Sequence, residues 1–165
     1  MDQTKSFWLD LFTWETWNEL LIRGVRSLGF VNCVGLRSEE SLAAMLLLCY
    51  LAGISRFVGA LEVVGEPFRD TSPIWSSDLF PARLPVKVLI QLKAETAVPA
   101  YDLREQLSFF QASPDSPAWI CHFRGPPNRF KEAEGRSASR NTAENAPASY
   151  TGPFLFQRSP LVNPR

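Results

Sequence analysis

The stretch from Ser55 to Phe68 constrains the fold of this chain more than any other. From Phe57 to Val64 it is almost continuously apolar and rich in residues that favour strands, and Pro67 ends it. Such a run predicts a strand that is covered on both faces and lies in the middle of a sheet. Gly59 and Gly65 lack side chains within the run, so each predicts a bulge, a sharp bend or the close approach of another group, with a ligand among the candidates.

Apolar runs elsewhere predict more strands, and two amphipathic stretches predict helices. Thr13 has a side chain suited to a helix N-cap, and the turn-forming pair Ala52-Gly53 favours an antiparallel hairpin into the central strand. By periodicity alone, the run Met45 to Leu51 also fits the end of a helix. The predicted strands are Phe7–Phe12, Met45–Leu51, Pro85–Leu92 and Trp119–Phe123, and the predicted helices are Trp14–Arg23 and Tyr101–Phe110.

The remaining segments predict loops and a tail. Glycines and prolines predict loops from Gly29 to Arg37 and from Asp70 to Pro85. Beyond Lys131 the composition changes to small, polar and charged residues without an apolar period, which predicts disorder from about Ala133 to Ser149. We therefore expect one domain over residues 1–130 and a polar, disordered C-terminal tail over residues 131–165. Short strands with two or three peripheral helices indicate an α+β domain whose sheet curls into a partly closed barrel.

Charge and cysteine content limit the class of function. Seventeen basic residues balance 17 acidic ones, so a protein that coats nucleic acid through bulk charge is excluded. Cys33, Cys49 and Cys121 are odd in number and widely spaced, which argues against a disulfide framework. The N-terminus lacks an apolar signal core, and no run reaches the roughly 18 apolar residues of a membrane span. We expect a soluble, cytoplasmic protein with no membrane partner.

Several short motifs, in a fixed order along the chain, carry a resemblance to a known family. They are Trp8-Leu9-Asp10-Leu11-Phe12-Thr13, Trp17, Leu48-Cys49-Tyr50-Leu51, Gly53 to Phe68, Asp70, Ser72-Pro73-Ile74-Trp75 and His122-Phe123-Arg124-Gly125-Pro126. Together they resemble an EVE domain, a member of the PUA-like superfamily that also contains the YTH domains. The resemblance covers about Phe7 to Arg129. It implies a PUA-like, partly closed barrel of five or six strands, with a pocket that takes one flipped and often modified base.

The resemblance also implies which residues line the pocket. A base reader needs flat walls for stacking, groups that read the base edge, and cations for the flanking phosphates. The implied walls are Phe12, Phe30, Phe57 and Trp75, the edge readers are Asp10, Thr13 and Ser55, the cations are Arg56 and Arg124, and Phe123 lies in the closing segment. For each aromatic residue the alternative is burial in the core. For Arg56 and Arg124 the alternative is a surface position or an ion pair with Glu62 or Glu66. Asp10 interrupts an apolar run, so we expect its carboxylate either to cap the following helix or to contact a ligand.

Two segments depart from the family pattern. The stretch from Arg37 to Met45 replaces the usual polar or basic loop and Gly-Asp turn, so part of the pocket wall differs. The helix that the family has after the Arg-Gly-Pro segment is replaced here by the polar tail.

A catalytic function has little basis in the sequence. His122 is the only histidine, and the neighbouring Cys121 points to the opposite side of a strand. No ligands are spaced for zinc, and no glycine-rich loop opens a helix as phosphate binding requires. We expect a non-enzymatic domain, without metal or cofactor, that binds DNA or RNA through a base that is methylated or hydroxymethylated.

Two alternatives use the same fold. One is a structural or protein-interaction module with a partner protein, and the other is a domain that binds a small molecule or nucleotide. Arginines clustered around one pocket favour the nucleic-acid function, and scattered ones favour the interaction module. The arginines concerned are Arg37, Arg56, Arg69, Arg83, Arg124 and Arg129.

Overall fold

The described part of the chain is built from short strands and three helices. The computed structural model describes residues 5–23, 27–30, 45–73, 80–111 and 128–146, without the side chains of Arg23, Phe30, Phe109 and Gln111. The strands are β1 (Ser6–Phe12), β2 (Ser27–Phe30), β3 (Met45–Leu51), β4 (Arg56–Val63), β5 (Phe68–Arg69), β6 (Ala82–Gln91), β7 (Val98–Pro99) and β8 (Asn128–Arg129). The helices are α1 (Trp14–Arg23), α2 (Ser108–Gln111) and α3 (Glu132–Glu144), with a 3-10 turn at Ala100–Leu103.

The strand β4 lies in the middle of the sheet, as its sequence predicts. The strand order is β2-β6-β4-β3-β1-β8, with β5 paired to β6 and β7 paired to β4. Neighbours β3 and β6 are both antiparallel to β4, whereas β1 is parallel to β3. The mixed sheet curls into a half-barrel, which confirms the α+β class. Among the described residues it has eight strands, three of them only two residues long, where the sequence predicted five or six.

Two β-bulges flank Gly59 at the centre of the sheet. Cys49 pairs with Gly59 but Tyr50 pairs with Phe57, which leaves one extra residue on β4; a second irregularity follows Ala60, where β4 pairs with β6. A Cβ atom on Gly59 would overlap the carbonyl oxygen of Ile90 and lie 2.9 Å from the ring of Trp17. The predicted bulge and close approach at Gly59 are therefore confirmed. The approaching groups belong to the protein itself.

Apolar side chains fill both faces of the sheet. On one face, Trp17 and Leu20 of α1 pack with every second residue of β3, and on the other Phe7, Tyr50, Phe57 and Phe130 form a second cluster. Strand β3 is buried along its whole length because it is covered on both sides. The strands predicted at Phe7–Phe12 and Met45–Leu51, the helix predicted at Trp14–Arg23 and the hairpin of β3 with β4 are confirmed.

Helix α3 contradicts the predicted disorder after Ala133. Its buried residues recur every three or four positions, at Gly135, Ala138, Ser139, Thr142 and Ala143, and the helix packs against β1 and β4. The hydroxyls of Ser139 and Thr142 donate to the carbonyls of Gly135 and Ala138, at 2.7 and 2.8 Å, so both are satisfied inside the interface. The helix expected from the family is thus present, and folded structure extends past the predicted boundary at residue 130.

Four further predictions differ from the structure or lie outside it. Part of the loop predicted from Gly29 is strand β2, which pairs with β6. The loop predicted up to Pro85 ends earlier, because β6 begins at Ala82. The helix predicted over Tyr101–Phe110 is divided between the 3-10 turn and α2. The strand predicted at Trp119–Phe123 lies outside the described residues. In the described ranges, no helix has the length and apolar character that crossing a bilayer requires.

Candidate functional site

Six of the predicted site residues lie near one end of the sheet but not on one face: Phe12 belongs to the cluster on the α1 face and Phe57 to the cluster on the opposite face. The parallel strands β1 and β3 both end there and β4 begins there, so that Phe12, Leu51 and Arg56 lie side by side. Two backbone hydrogen bonds join the adjacent turns: Ala52 N donates to Phe12 O at 2.9 Å, and Ala100 N donates to Ser55 O at 3.0 Å. We call Asp10, Phe12, Thr13, Ser55, Arg56 and Phe57 the strand-end site; they are six of the ten residues that the family resemblance implied.

The other four predicted residues are not part of this cluster as described. Phe30 ends β2 and pairs in register with Ala82 of β6, near the opposite end of that long strand from the residues that pair with β4. The side chain of Phe30 and the whole of Trp75, Phe123 and Arg124 lie outside the described residues.

Phe12 and Phe57 are core residues. Phe57 has no exposed surface and Phe12 has 2 %. The ring of Phe12 packs edge-on against Trp17 at 5.2 Å between centroids, and Phe57 packs against Tyr50 and Phe130 at 5.7 and 6.5 Å. Stacking a base on either ring would require the core to open. The alternative weighed for these aromatic residues, burial in the core, describes them better than a role as pocket walls.

Thr13 and Ser55 occupy the turns of the strand-end site. Thr13 caps α1: its hydroxyl accepts from Thr16 N at 3.2 Å, and its own N–H donates to the Thr16 hydroxyl at 3.0 Å, which confirms the predicted N-cap. Ser55 has a φ of +54°, in the left-handed region, and its side chain hydrogen-bonds that of Tyr50. Arg56 is half-buried and donates from Nη1 to the carbonyl of Ala94 at 3.2 Å, which fixes the direction of its guanidinium group.

Asp10 is a buried acid two residues inside this end of the sheet. Its side chain is 6 % exposed, and it pairs in register with Cys49. Burial raises the pKa of Asp10 from 3.8 to about 7, although the N–H of Leu11 partly stabilises the carboxylate. Burial and the neighbouring charge of Asp10 raise the pKa of the Cys49 thiol. Thr13, and not Asp10, caps α1. Of the two roles predicted for Asp10, contact with a ligand is therefore the one that remains. Near pH 7 its carboxyl can donate as well as accept a hydrogen bond.

A second polar cluster lies where β5 and β6 meet, and the sequence analysis named only its Arg83, among the arginines that could surround a pocket. Arg83 of β6 is only 3 % exposed, and its Nη2 donates to the carbonyl of Ser72. Ser72 N in turn donates to the carboxylate of Asp70 at 2.8 Å. The cluster could have been suspected from the sequence because Arg83 interrupts a strand that is otherwise largely apolar, but its hydrogen bond to the carbonyl of Ser72 depends on the tertiary fold.

The described arginines do not surround one pocket. Arg69 and Arg83 lie on the β5–β6 pair, Arg56 begins β4, and Arg129 pairs with Trp8 on the edge strand β8, at the far side of the strand order from β6. Arg37 and Arg124 are outside the described residues. Within the described ranges, no three His, Cys, Asp or Glu side chains come close enough together to hold a metal ion.

Comparison with known proteins identifies the fold. No family model matches the sequence, and no curated protein matches it. Among solved structures, the YTH domain of Zygosaccharomyces rouxii MRB1 in complex with N6-methyladenosine RNA superposes with a TM-score of 0.58, at 15 % identity over 81 % of this chain and 83 % of that one. The fold is similar to that of YTH domains.

Two further YTH domains support the same conclusion. The Pho92 YTH domain in complex with m6A gives a TM-score of 0.57 at 15 % identity, over 83 % of this chain and 85 % of that chain. The Toxoplasma CPSF4-YTH domain in apo form gives 0.56 at 16 % identity, over 89 % and 90 %. The similarity extends over most of both chains, so it concerns the fold as a whole.

Proposed function

We propose that this chain is a non-catalytic reader of a modified base in RNA. The observation that supports this proposal best is the YTH-like fold, which matches one domain solved with N6-methyladenosine RNA and one solved with m6A over more than four-fifths of both chains. The sequence resembles EVE domains, which belong to the same superfamily as YTH domains. That resemblance supports the finer part of the proposal, that the chain is a PUA-like reader. N6-methyladenine in single-stranded RNA is the first ligand to test.

The base is held, in this proposal, between Phe30 and Trp75. With Phe12 and Phe57 buried in the core, these two are the remaining aromatic walls that the resemblance implies. Stacking contributes roughly 1–3 kcal/mol per base, whereas extruding a base from a duplex costs a few kcal/mol. A single strand avoids most of that cost, so we expect single-stranded RNA to bind more tightly than a duplex.

The strand-end site lies at the opposite end of the sheet from Phe30. Its groups therefore do not read the edge of a base held between Phe30 and Trp75, and in this proposal they contact nucleotides farther along the RNA strand. Asp10 is buried there, with a pKa of about 7, and its protonated carboxyl can donate to a ring nitrogen while its other oxygen accepts from an exocyclic N–H. Thr13 and Ser55 add hydroxyl groups in exposed or half-exposed turns. Arg56 and Arg124, with the neighbouring Phe123, complete the proposed site as contacts to the flanking nucleotides.

Binding to RNA oligonucleotides tests the proposal. Fluorescence anisotropy with a short single strand that carries one central N6-methyladenosine should give at least a roughly tenfold lower Kd than the unmodified strand, a difference of about 1.4 kcal/mol. Trp75→Ala should remove most of that preference. Tyr101→Ala is the matched control, because Tyr101 is an exposed aromatic residue outside the predicted pocket. The same strand as DNA, as a duplex and with 5-hydroxymethylcytosine tests the other ligands.

One observation favours a protein-interaction module as the second candidate. The net charge is zero, and the described arginines are spread over separate parts of the sheet. If the folded protein binds none of the oligonucleotides at low salt, the reader proposal is wrong and this candidate replaces it.

A further inference from the structure

Four neighbouring strands terminate in register at the strand-end site. Phe12 of β1 pairs with Leu51 of β3, and Leu51 pairs with Arg56 of β4. Arg56 also pairs with Pro99 of β7. These four residues therefore form one row across the end of the sheet. Neighbouring strands are about 4.8 Å apart, so the row is roughly 14 Å long.

Just beyond this row, three large apolar side chains are exposed. Trp14 and Tyr101 are 51 % and 52 % exposed, and Ile54 is 43 % exposed. Each lies two residues from the row: Trp14 begins α1, Ile54 belongs to the turn between β3 and β4, and Tyr101 belongs to the 3-10 turn after β7. That β3–β4 turn is hydrogen-bonded to the end of β1 and to the start of the 3-10 turn. The three side chains thus follow one another across the end of the sheet, with Ile54 in the middle.

The ring of Tyr101 is held in a fixed orientation. The guanidinium of Arg104 lies over the ring, with Cζ 4.7 Å from its centroid, and Nη1 of Arg104 donates to the Tyr101 carbonyl at 3.2 Å. The ring also packs at a steep angle against the buried ring of Phe110, with the centroids 6.3 Å apart. Tyr101 and Arg104 are both exposed, so they form a flat stack at the surface. A stack that is already ordered loses little entropy when a flat ligand binds to it.

Trp14 is the second aromatic group at this end of the sheet. Trp17, one turn later in the same helix, is buried against Phe12, whereas half of Trp14 is in contact with solvent. The cap from Thr13 to Thr16 fixes the first turn of α1, to which Trp14 belongs. Bases of single-stranded RNA stack on exposed aromatic rings and on guanidinium planes, and both are present here.

The size and charge of this surface fit single-stranded RNA better than a partner protein. Three apolar side chains are too few for the core of a stable protein interface, which buries about 800 Å² on each partner. Charges of both signs lie beside them, on Arg56, Arg104, Glu15 and Asp102. Such a surface attracts RNA by stacking with its bases more than by contact with its phosphates.

We propose that Trp14, Ile54 and Tyr101 form a second RNA-binding surface, on which a single strand crosses the end of the sheet with bases stacked on Trp14 and on the Tyr101–Arg104 pair. This inference rests on the proposed function for the identity of its ligand. The two rings follow strand ends that are roughly 14 Å apart, compared with about 3.4 Å between stacked bases, so they bind nucleotides that are not neighbours. Every base has a flat face, so this surface adds affinity for longer strands without selecting a sequence.

The test measures how the affinity depends on the length of the RNA. Fluorescence anisotropy compares a strand of about four nucleotides that contains N6-methyladenosine with strands of about ten, extended at the 5′ or the 3′ end. Extension at one end should lower the wild-type Kd by about tenfold or more. Tyr101→Leu and Trp14→Leu keep an apolar side chain but remove the ring. Each should raise the Kd of that longer strand by roughly fivefold or more and leave the Kd of the short strand unchanged. The ratio of Kd for unmodified to methylated RNA should also stay the same.

Two further variants complete the experiment. Ile22→Ala is the matched control, because Ile22 is 84 % exposed and lies roughly 12 Å along α1 from Trp14; it should change no Kd. Arg104→Lys covers the case in which Tyr101→Leu does not fold. It keeps the charge at an exposed position but removes the planar group, and should weaken binding of the longer strand by about twofold to fivefold.

The outcomes separate this surface from the proposed reader. If the wild-type protein gains no affinity from extension at either end, the surface is wrong and the reader stands. A gain that both leucine variants retain would also overturn the surface and leave a partner protein as its occupant. If methylation brings no preference but the longer strand still requires Tyr101, the proposed function is wrong and the surface stands. Absence of binding to every strand would contradict both.

Discussion

At the scale of single residues, Asp10 is a carboxylic acid that the fold removes almost completely from water. A carboxyl that is 6 % exposed between apolar neighbours favours its neutral form, and burial therefore raises its pKa to about 7. The sequence already distinguished this residue, because an acid within Trp8 to Phe12 had to cap a helix or meet a ligand. The structure assigns the cap to Thr13, which leaves a group whose charge can be titrated near neutral pH.

The buried carboxyl of Asp10 predicts that stability falls as the pH rises. Its pKa is 3.8 when unfolded and about 7 when folded, so between these values the folded protein binds more protons. The favourable contribution is complete below about pH 4 and is lost as the pH rises through 7. A shift of about three pKa units corresponds to roughly 4 kcal/mol as an upper estimate. Urea unfolding from pH 5 to pH 8 should show a clear decrease in the free energy of unfolding for the wild type and a much smaller one for Asp10→Asn.

The control for this measurement is Asp102→Asn. Asp102 is exposed, so its substitution should leave the wild-type pH dependence in place. Identical slopes for the wild type and Asp10→Asn would show that Asp10 is not responsible.

At the scale of elements, helix α3 packs through small residues, and Gly135 is the tightest point. A Cβ atom there would overlap Cβ and Cγ of Phe7 and lie 2.9 Å from Cδ2 of the ring. Alanine favours a helix interior over glycine by about 1 kcal/mol, but overpacking a well-filled interface costs roughly 1–3 kcal/mol. Because Phe7 belongs to β1 in the core, it has little room to move.

We therefore predict that Gly135→Ala lowers the free energy of unfolding, by about 1 kcal/mol net, in chemical denaturation. The calibrating variant is Ala133→Gly, at an exposed position in the first turn of the same helix, which should cost at most about 1 kcal/mol through helix propensity alone. A stabilised Gly135→Ala protein would show that the helix can move away from Phe7.

The same helix explains which elements could be predicted from sequence. Large apolar residues mark β1, β3, β4 and β6, so hydropathy located them correctly. The buried face of α3 consists of Gly135, Ala138, Ser139, Thr142 and Ala143. These small or polar residues remove little apolar surface from water, so the helix has no clear hydropathy signal in the sequence. Their recurrence every three or four positions was the available signal. Strand β2 was not predicted because it has only four residues and contains Gly29, a pattern typical of a loop. Its extended conformation depends on pairing with β6.

At the scale of the whole molecule, the sequence indicates which residues lie near strand ends but not which side chains face the core. Of the pairings that bring these strand ends together, the sequence predicted the β3–β4 hairpin, whereas the parallel pairing of β1 with β3 is seen only in the structure. Whether Phe57 faces a pocket or the core depends on contacts with Tyr50 and Phe130, which come from distant parts of the chain. No local pattern around Phe57 contains that information.

The charge of the whole molecule predicts a weak salt dependence of RNA binding. With zero net charge and arginines on separate parts of the sheet, we expect about two phosphate contacts, so the slope of log K against log salt should be about −1.4 and the affinity should fall roughly sevenfold between 50 and 200 mM salt. Arg56→Ala should reduce the slope by about 0.7. Arg129→Ala, on the edge strand β8, should leave it unchanged. A slope steeper than about −4 would mean that bulk electrostatics govern the affinity, and the base would then contribute selectivity alone.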